Sequence, residues 1–265
     1  MTAVTAETGM PADSAQYPSL RGKRVFVTGG GSGIGACVVE AFVRQGSHVA
    51  FVDIAASPSE RLVQSLRESG FVAPWFRVCD VSNVAALQMA IGDAAAAIGE
   101  FNVLVNNVAS DDRHAIADVT PEYWDQRMAI NQRPAFFAIQ SVLPGMRRAG
   151  GGAIVNLGSR GWHSKSGGYP AYATAKSSMM GLTRGLAKEL GAQRIRINVV
   201  SPGWVMTERQ VRLWAVPDMA EELARIQCVP DAIQAHDIAS MVLFLASDDA
   251  ARCTAQEFVV DAGWT

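Results

Sequence analysis

Arg24-Val25-Phe26-Val27-Thr28-Gly29-Gly30-Gly31-Ser32-Gly33-Ile34-Gly35 decides how this chain folds. Arg24–Thr28 has the length and apolar content of a buried strand. Glycines follow, and from Gly33 to Gly46 the apolar positions take up a helical period. A strand running through glycines into a helix leaves unbonded helix N–H groups beside open backbone. Gly29, Gly33 and Gly35, with Ser32 and Ile34 between them, let that backbone approach a pyrophosphate.

The same alternation continues outward. His48–Asp53 reads as a second strand and Pro58–Gly70 as a second helix. Phe71–Cys79 and Asn83–Ile98 are a third pair, and Asn102–Asn106 is a fourth strand. Pro121–Gly150 holds one or two helices, with Pro134 and Pro144 as kink positions. Gly152–Leu157, Tyr172–Gly191 and Arg194–Val200 follow as strand, long helix and strand. Thr207–Cys228 is polar and helical in parts, Ala235–Ala246 is a helix and Glu257–Val260 a last strand. Repeated βα units predict an α/β fold: a Rossmann-like, doubly wound parallel sheet with helices on both faces. One domain over residues 20–265 is expected, behind a flexible N-terminal tail, 1–19.

Composition narrows the function. Hydrophobic residues make up 49% of the 265 and charged residues 18%, with a net charge of −2. That supports a large core and argues against disorder. No Lys/Arg run stands out, so no nucleic-acid partner is expected. No apolar run is long enough to span a membrane, so none is expected as a partner. The first residues lack the basic start and apolar stretch of a secretion signal. Cys37, Cys79, Cys228 and Cys253 show no CxxC spacing; reduced, mostly buried thiols in a cytoplasmic protein are expected, and no metal.

Chemistry gathers at the strand ends, where ligands lie in sheets of this kind. Asp53, ending the second strand before Ile54, can accept from ribose hydroxyls and would repel the extra phosphate of NADP, for which Ser32 offers no cation. The expected cofactor is therefore NAD. Asp80-Val81 ends the third strand, where a carboxylate can bond the adenine amino group. Asn106-Asn107 ends the fourth.

Ser159 follows the fifth strand, and Tyr172 and Lys176 share a helix face four residues apart. An ammonium beside a phenol favours the phenolate, which can take a proton from an alcohol. Tyr169 lacks a lysine four residues on. Asp111-Asp112-Arg113-His114 forms a polar run beside the expected nicotinamide, read either as a sugar site with Asp111 and His114 or as salt bridges at a subunit contact. His163 is a further loop candidate. Trp162 and Trp204 could pack on the apolar face of a sugar ring.

Together these residues resemble the short-chain dehydrogenase/reductase family, from about Leu20 to Thr265. Its TGxxxGxG pattern falls on Thr28, Gly29, Gly33 and Gly35. Its tetrad falls on Asn131, Ser159, Tyr172 and Lys176, and its PGxxxT segment on Pro202, Gly203 and Thr207. The resemblance implies tyrosine as general acid/base, lysine lowering its pKa and holding the nicotinamide ribose, serine orienting the substrate, and asparagine linking the lysine to a proton path. Asn107 belongs to its cofactor loop, and Val205 and Thr207 would hold the carboxamide. It also implies a homo-oligomer, usually a tetramer.

One departure is Ala109, which stands where the family's NNAG pattern has glycine. A narrower resemblance is to NAD-dependent aldose dehydrogenases of the D-xylose 1-dehydrogenase type. It is carried by Ser110–His114, Gly203–Gln210 and the tail Gln256–Trp264, and it weakens over Arg160–Ala171 and at Ala173. The implied reaction is oxidation of a pentose or related aldose at C1 to an aldonolactone. The alternatives are a 3-oxoacyl thioester or other ketone/alcohol oxidoreductase, and a non-catalytic NAD-binding sensor or scaffold.

Overall fold

The computed structural model describes residues 5–7, 9–165, 167–214 and 218–265. Parts of three expected segments lie outside the described residues: 1–4 and 8 of the tail, 166 of the loop 160–171, and 215–217 of the stretch 207–228. Seven strands form one sheet: β1 (Arg24–Thr28), β2 (His48–Asp53), β3 (Trp75–Val78), β4 (Val103–Asn106), β5 (Gly152–Leu157), β6 (Ile195–Pro202) and β7 (Glu257–Val260). The order is β3-β2-β1-β4-β5-β6-β7 and every pairing is parallel. The chain reverses its direction of winding between β1 and β4, so a cleft opens above their carboxyl ends.

The helices are α1 (Gly33–Arg44), α2 (Ala56–Glu68), α3 (Val84–Ile98), α4 (Pro121–Asn131), α5 (Arg133–Arg148), α6 (Pro170–Gly191), α7 (Glu208–Trp214), α8 (Met219–Ile226) and α9 (Ala235–Ala246). Alternation along the strands feeds two cores. Val25 and Val27 of β1 pack with Val38, Phe42, Ile238 and Val242 of α1 and α9 on one face. Phe26 points the other way, into Leu87, Ile91, Ile139 and Leu190 of α3, α5 and α6.

Several boundaries differ from expectation, three of them where a proline intervenes. β3 is shorter than Phe71–Cys79, starting only after Pro74, which has no N–H to give a ladder. Pro134 starts α5 instead of kinking it, and Pro144 lies inside that helix. The carbonyl freed by Pro144 belongs to exposed Gln140, where water can bond it. α6 starts at Pro170, so Tyr172 falls in its first turn.

The segment ahead of β1 lies along α1 and α9. Met10 is buried against Cys37, Tyr17 N–H donates to Gln45 Oε1 at 2.8 Å, and Glu7 N–H donates to Gln234 Oε1 at 3.0 Å. The cysteines divide: Cys37 and Cys79 are buried, Cys253 is half-buried and Cys228 is exposed. No helix among the described residues is long and apolar enough to cross a membrane.

Candidate active site

The glycine turn is closed to side chains. A Cβ on Gly35 would stand 1.8 Å from the Gly29 carbonyl oxygen, and one on Gly29 would stand 2.9 Å from Val108 Cγ2. Asn107 fixes the turn: its Nδ2 donates to the carbonyls of Thr28 (3.2 Å) and Gly29 (2.8 Å), and its own N–H donates to Thr28 Oγ1 at 3.0 Å. Gly33 has φ +53°, and a Cβ there would meet Thr207 Cγ2 at 3.2 Å. Ser32 makes no side-chain cap for α1. The first-turn N–H groups of that helix are thus left for an anion, in a cradle that only glycine leaves open.

One cleft of about 1180 Å³ runs from this turn to Ser159, Tyr172 and Lys176. Its walls include Ser32, Ile34, Asp53, Ile54, Asp80, Val81 and Asn107, and across from them Pro202, Gly203, Val205 and Thr207. Asp53 is 9% exposed; its Oδ2 accepts from Gly31 N–H at 2.8 Å and its Oδ1 from Ala55 N–H at 2.9 Å. It therefore caps the turn while its carboxylate stays on the cleft wall. Arg61 of α2 also lines the cleft, a cation besides the uncharged Ser32.

Ser159, Tyr172 and Lys176 meet on the cleft at the end of β5. Lys176 is 2% exposed, and its Nζ donates to the Leu157 carbonyl at 2.8 Å. Burial lowers its pKa to about 8. Burial also pushes the Tyr172 phenol up to about 12, against a lowering hydrogen bond from Ser159; Asp111 adds to the rise and Arg113 opposes it. The phenolate expected from the Tyr/Lys spacing is thus disfavoured while the cleft holds only protein. Ser159 Oγ also accepts from Gly161 N–H at 3.0 Å.

Asn131 does not line the cleft. It is buried at the end of α4, where its Oδ1 accepts from Ser110 N–H at 2.8 Å and its Nδ2 donates to the Ser110 and Arg127 carbonyls. It holds the loop that carries the polar run.

That run is divided by the fold. Asp111 lines the cleft and binds α7, accepting from Gln210 Nε2 at 3.0 Å and ion-pairing with Arg209. Asp112, half exposed, pairs with buried Arg127 at 2.5 Å; partial burial raises its carboxyl, and Ser110, Arg127 and Arg209 together outweigh that rise and hold it below the usual range. These are salt bridges, formed within one chain.

His114 is not on the cleft. Its Nδ1 contacts the Tyr123 hydroxyl at 2.9 Å and the Asp112 carbonyl at 3.0 Å, and its Nε2 accepts from Ala171 N–H at 3.3 Å. It ties the loop to α4 and α6. Trp162 is also off the cleft, its ring tilted 34° against that of His163 with centroids 3.6 Å apart. His163 in turn meets Glu257 Oε1 at 3.0 Å. Trp204 lines the cleft, and its Nε1 donates to Gln210 at 3.1 Å.

Sequence reasoning missed several lining residues. Tyr169 sits edge-on to Tyr172, with centroids 5.8 Å apart, and carries the Arg113 guanidinium 4.1 Å above its ring. Trp214 covers Arg113 from α7 at 5.1 Å. Arg160 and Trp264 close the far side. No periodicity marks these contacts, because loops and a chain end distant in sequence make them.

A glycine cradle, a carboxylate at the second strand's end and a Ser/Tyr/Lys set on one cleft define a dinucleotide-dependent oxidoreductase. The family described as enoyl-(acyl carrier protein) reductase matches residues 29–265. The chain is 47% identical over 251 residues to a protein named D-xylose 1-dehydrogenase from Caulobacter vibrioides, covering 95% of this chain and 99% of that one. It is 46% identical over 254 residues to a "Probable galactose dehydrogenase" of Rhizobium meliloti, covering 96% and 99%.

Among solved structures, a blue fluorescent protein from a metagenomic library, in complex with NADPH, superposes with a TM-score of 0.83 at 35% identity, covering 93% of this chain and 99% of that one. A 7α-hydroxysteroid dehydrogenase complexed with NADH superposes at 0.86 with 26% identity, covering 94% and 97%. The chain belongs to the short-chain dehydrogenase/reductase family, and is an oxidoreductase that uses a nicotinamide dinucleotide on CH–OH groups.

Proposed function

We propose that this chain oxidises an aldose at C1 to the aldonolactone, with NAD as hydride acceptor and Tyr172 as base. The observation that carries the reading is the 47% identity, over 95% of the chain, to a protein named D-xylose 1-dehydrogenase. The polar substrate end agrees with it: a polyhydroxylated ring needs many hydrogen-bond partners on leaving water.

Gly29, Gly33 and Gly35 admit the pyrophosphate, Asp53 accepts from the adenosine ribose, and Asp80 and Val81 border the adenine. Pro202, Gly203, Val205 and Thr207 form the wall for the carboxamide. When bound, NAD would supply the hydride acceptor for C1, and its positively charged ring would favour the phenolate. Tyr172 takes the C1 hydroxyl proton as the carbon–oxygen double bond forms. Lys176, protonated below about pH 8, supplies a second positive charge. Ser159 donates to the substrate oxygen. Asn131 keeps the Ser110 loop in place.

NAD is preferred over NADP because Asp53 faces a 2′-phosphate. Arg61 softens that preference. The protein works in the cytoplasm, where its unpaired thiols persist. It assembles as a homotetramer through faces that carry exposed Trp124 and Phe136. The test is NADH formation from aldoses, aliphatic alcohols and hydroxyacyl thioesters. Turnover of aldoses supports the reading, and turnover of thioesters alone replaces it with the acyl-reductase alternative.

A further inference from the structure

Arg160 directly follows Ser159, in a short 3-10 turn over Arg160–Trp162. It is 6% exposed, lines the cleft, and holds its Cζ 3.3 Å over the Trp264 ring. Among the described residues no carboxylate pairs with it and no acceptor takes a hydrogen bond from its guanidinium. Asp261 is near but spent: it accepts from Gly263 N–H at 3.0 Å, and from Thr265 N–H and Oγ1 at 2.8 Å each. Arginine is almost never buried without a partner, because a desolvated charge left alone is costly. Its guanidinium nitrogens are not enclosed, so the N–H edge opens on the cleft, where a partner can reach it.

The neighbouring charges point the same way. Arg113, Arg209 and Arg212 line this end with Arg160, against the carboxylates of Asp111 and Glu208. Asp111 is taken by Arg209, and Arg113 is held between the Tyr169 and Trp214 rings. A guanidinium stacked by its face on an indole keeps its N–H edge free, and that edge matches two oxygens of one anionic group.

We propose that Arg160 binds an anionic group on the substrate, a carboxylate or a phosphate, so that the aldoses this enzyme prefers are acidic sugars. The inference rests on the aldose reading and narrows it.

The test measures NADH formation from D-xylose, D-galactose and D-glucose, from D-galacturonate and D-glucuronate, and from D-glucose 6-phosphate. It is run on the wild type, Arg160→Gln and Arg160→Lys. The kcat/KM of the best acidic sugar should exceed that of its neutral parent by at least about tenfold, as expected for one charge-assisted pair. The ratio should shrink with added salt, fall towards one in Arg160→Gln and recover in part in Arg160→Lys. Both sugars meet the same variant, so a folding loss lowers both rates and leaves the ratio readable; Arg160→Lys carries the comparison should Arg160→Gln fail to fold. The uronate and phosphate arms identify the group. Turnover of neutral sugars as good as that of acidic ones, or a ratio unchanged in Arg160→Gln, overturns the inference and leaves the aldose reading standing. No NADH from any sugar overturns both.

Discussion

At Tyr172 the surrounding protein opposes the charge that the proposed proton abstraction requires. The phenol stands at about 12 and Lys176 at about 8, both moved towards neutrality by burial. Linkage gives each shift a sign. Between pH 8 and 10.5 the unfolded chain keeps the lysine proton that the native state has lost, so stability rises with pH across that window. Between pH 10 and 12 the native state keeps the tyrosine proton that the unfolded chain has lost, so stability falls. Urea unfolding of the cofactor-free protein should show the wild type gaining stability relative to Lys176→Met from pH 8 towards 10.5; a parallel pair of curves would contradict a buried, depressed lysine. At Asp53 a like-charge contact with a 2′-phosphate should cost roughly 2 kcal/mol, about thirtyfold in kcat/KM against NADP. Asp53→Ala should narrow that gap, the more so because Arg61 remains beside the site. Equal efficiency with both cofactors in the wild type would refute the role.

At the scale of elements, the β1–turn–α1 unit is over-determined and the substrate loops are not. Gly35→Ala would place a Cβ 1.8 Å from the Gly29 carbonyl oxygen and 2.6 Å from Asn107 Nδ2. Backbone and a pinned amide cannot yield cheaply, so the upper part of the usual overpacking cost, about 1–3 kcal/mol, is expected. NADH affinity should weaken alongside. Chemical denaturation and NADH titration read both, and wild-type values for either would contradict the closed turn. This unit was legible in sequence because its constraints are local: a strand, glycines and a helical period in succession. β5, α9 and β7 were legible to the residue for the same reason. The substrate end was not. His114 and Trp162 carry the chemistry of a sugar site, yet one staples a loop and the other packs against His163. Arg160, Tyr169 and Trp264 reach the cleft through tertiary contacts that no spacing announces.

For the whole molecule, α6 is only partly available for association. Thr183 is fully buried and its Oγ1 accepts from Asn156 Nδ2 at 3.0 Å, so it belongs to the sheet side. Gly181 and Gly185 have open space where a Cβ would stand, which suits close approach by another helix. Met89, Trp124 and Phe136 remain exposed on α3, α4 and α5. Light scattering should give four times the 28.2 kDa of one chain. A single-chain mass at micromolar concentration would refute the assembly.

The central claim, hydride transfer from C1 of an aldose with Tyr172 as the base, is tested most directly by one rate comparison. Wild type and Tyr172→Phe are given NAD and a panel of neutral and acidic aldoses, and NADH is followed by absorbance. The wild type should form NADH and the aldonolactone together. Tyr172→Phe should lose ~10²–10⁴-fold in rate, the usual worth of a positioned acid/base, while still binding NADH. No NADH from any aldose with the wild type, or more than about a tenth of the rate surviving in Tyr172→Phe, would contradict the account.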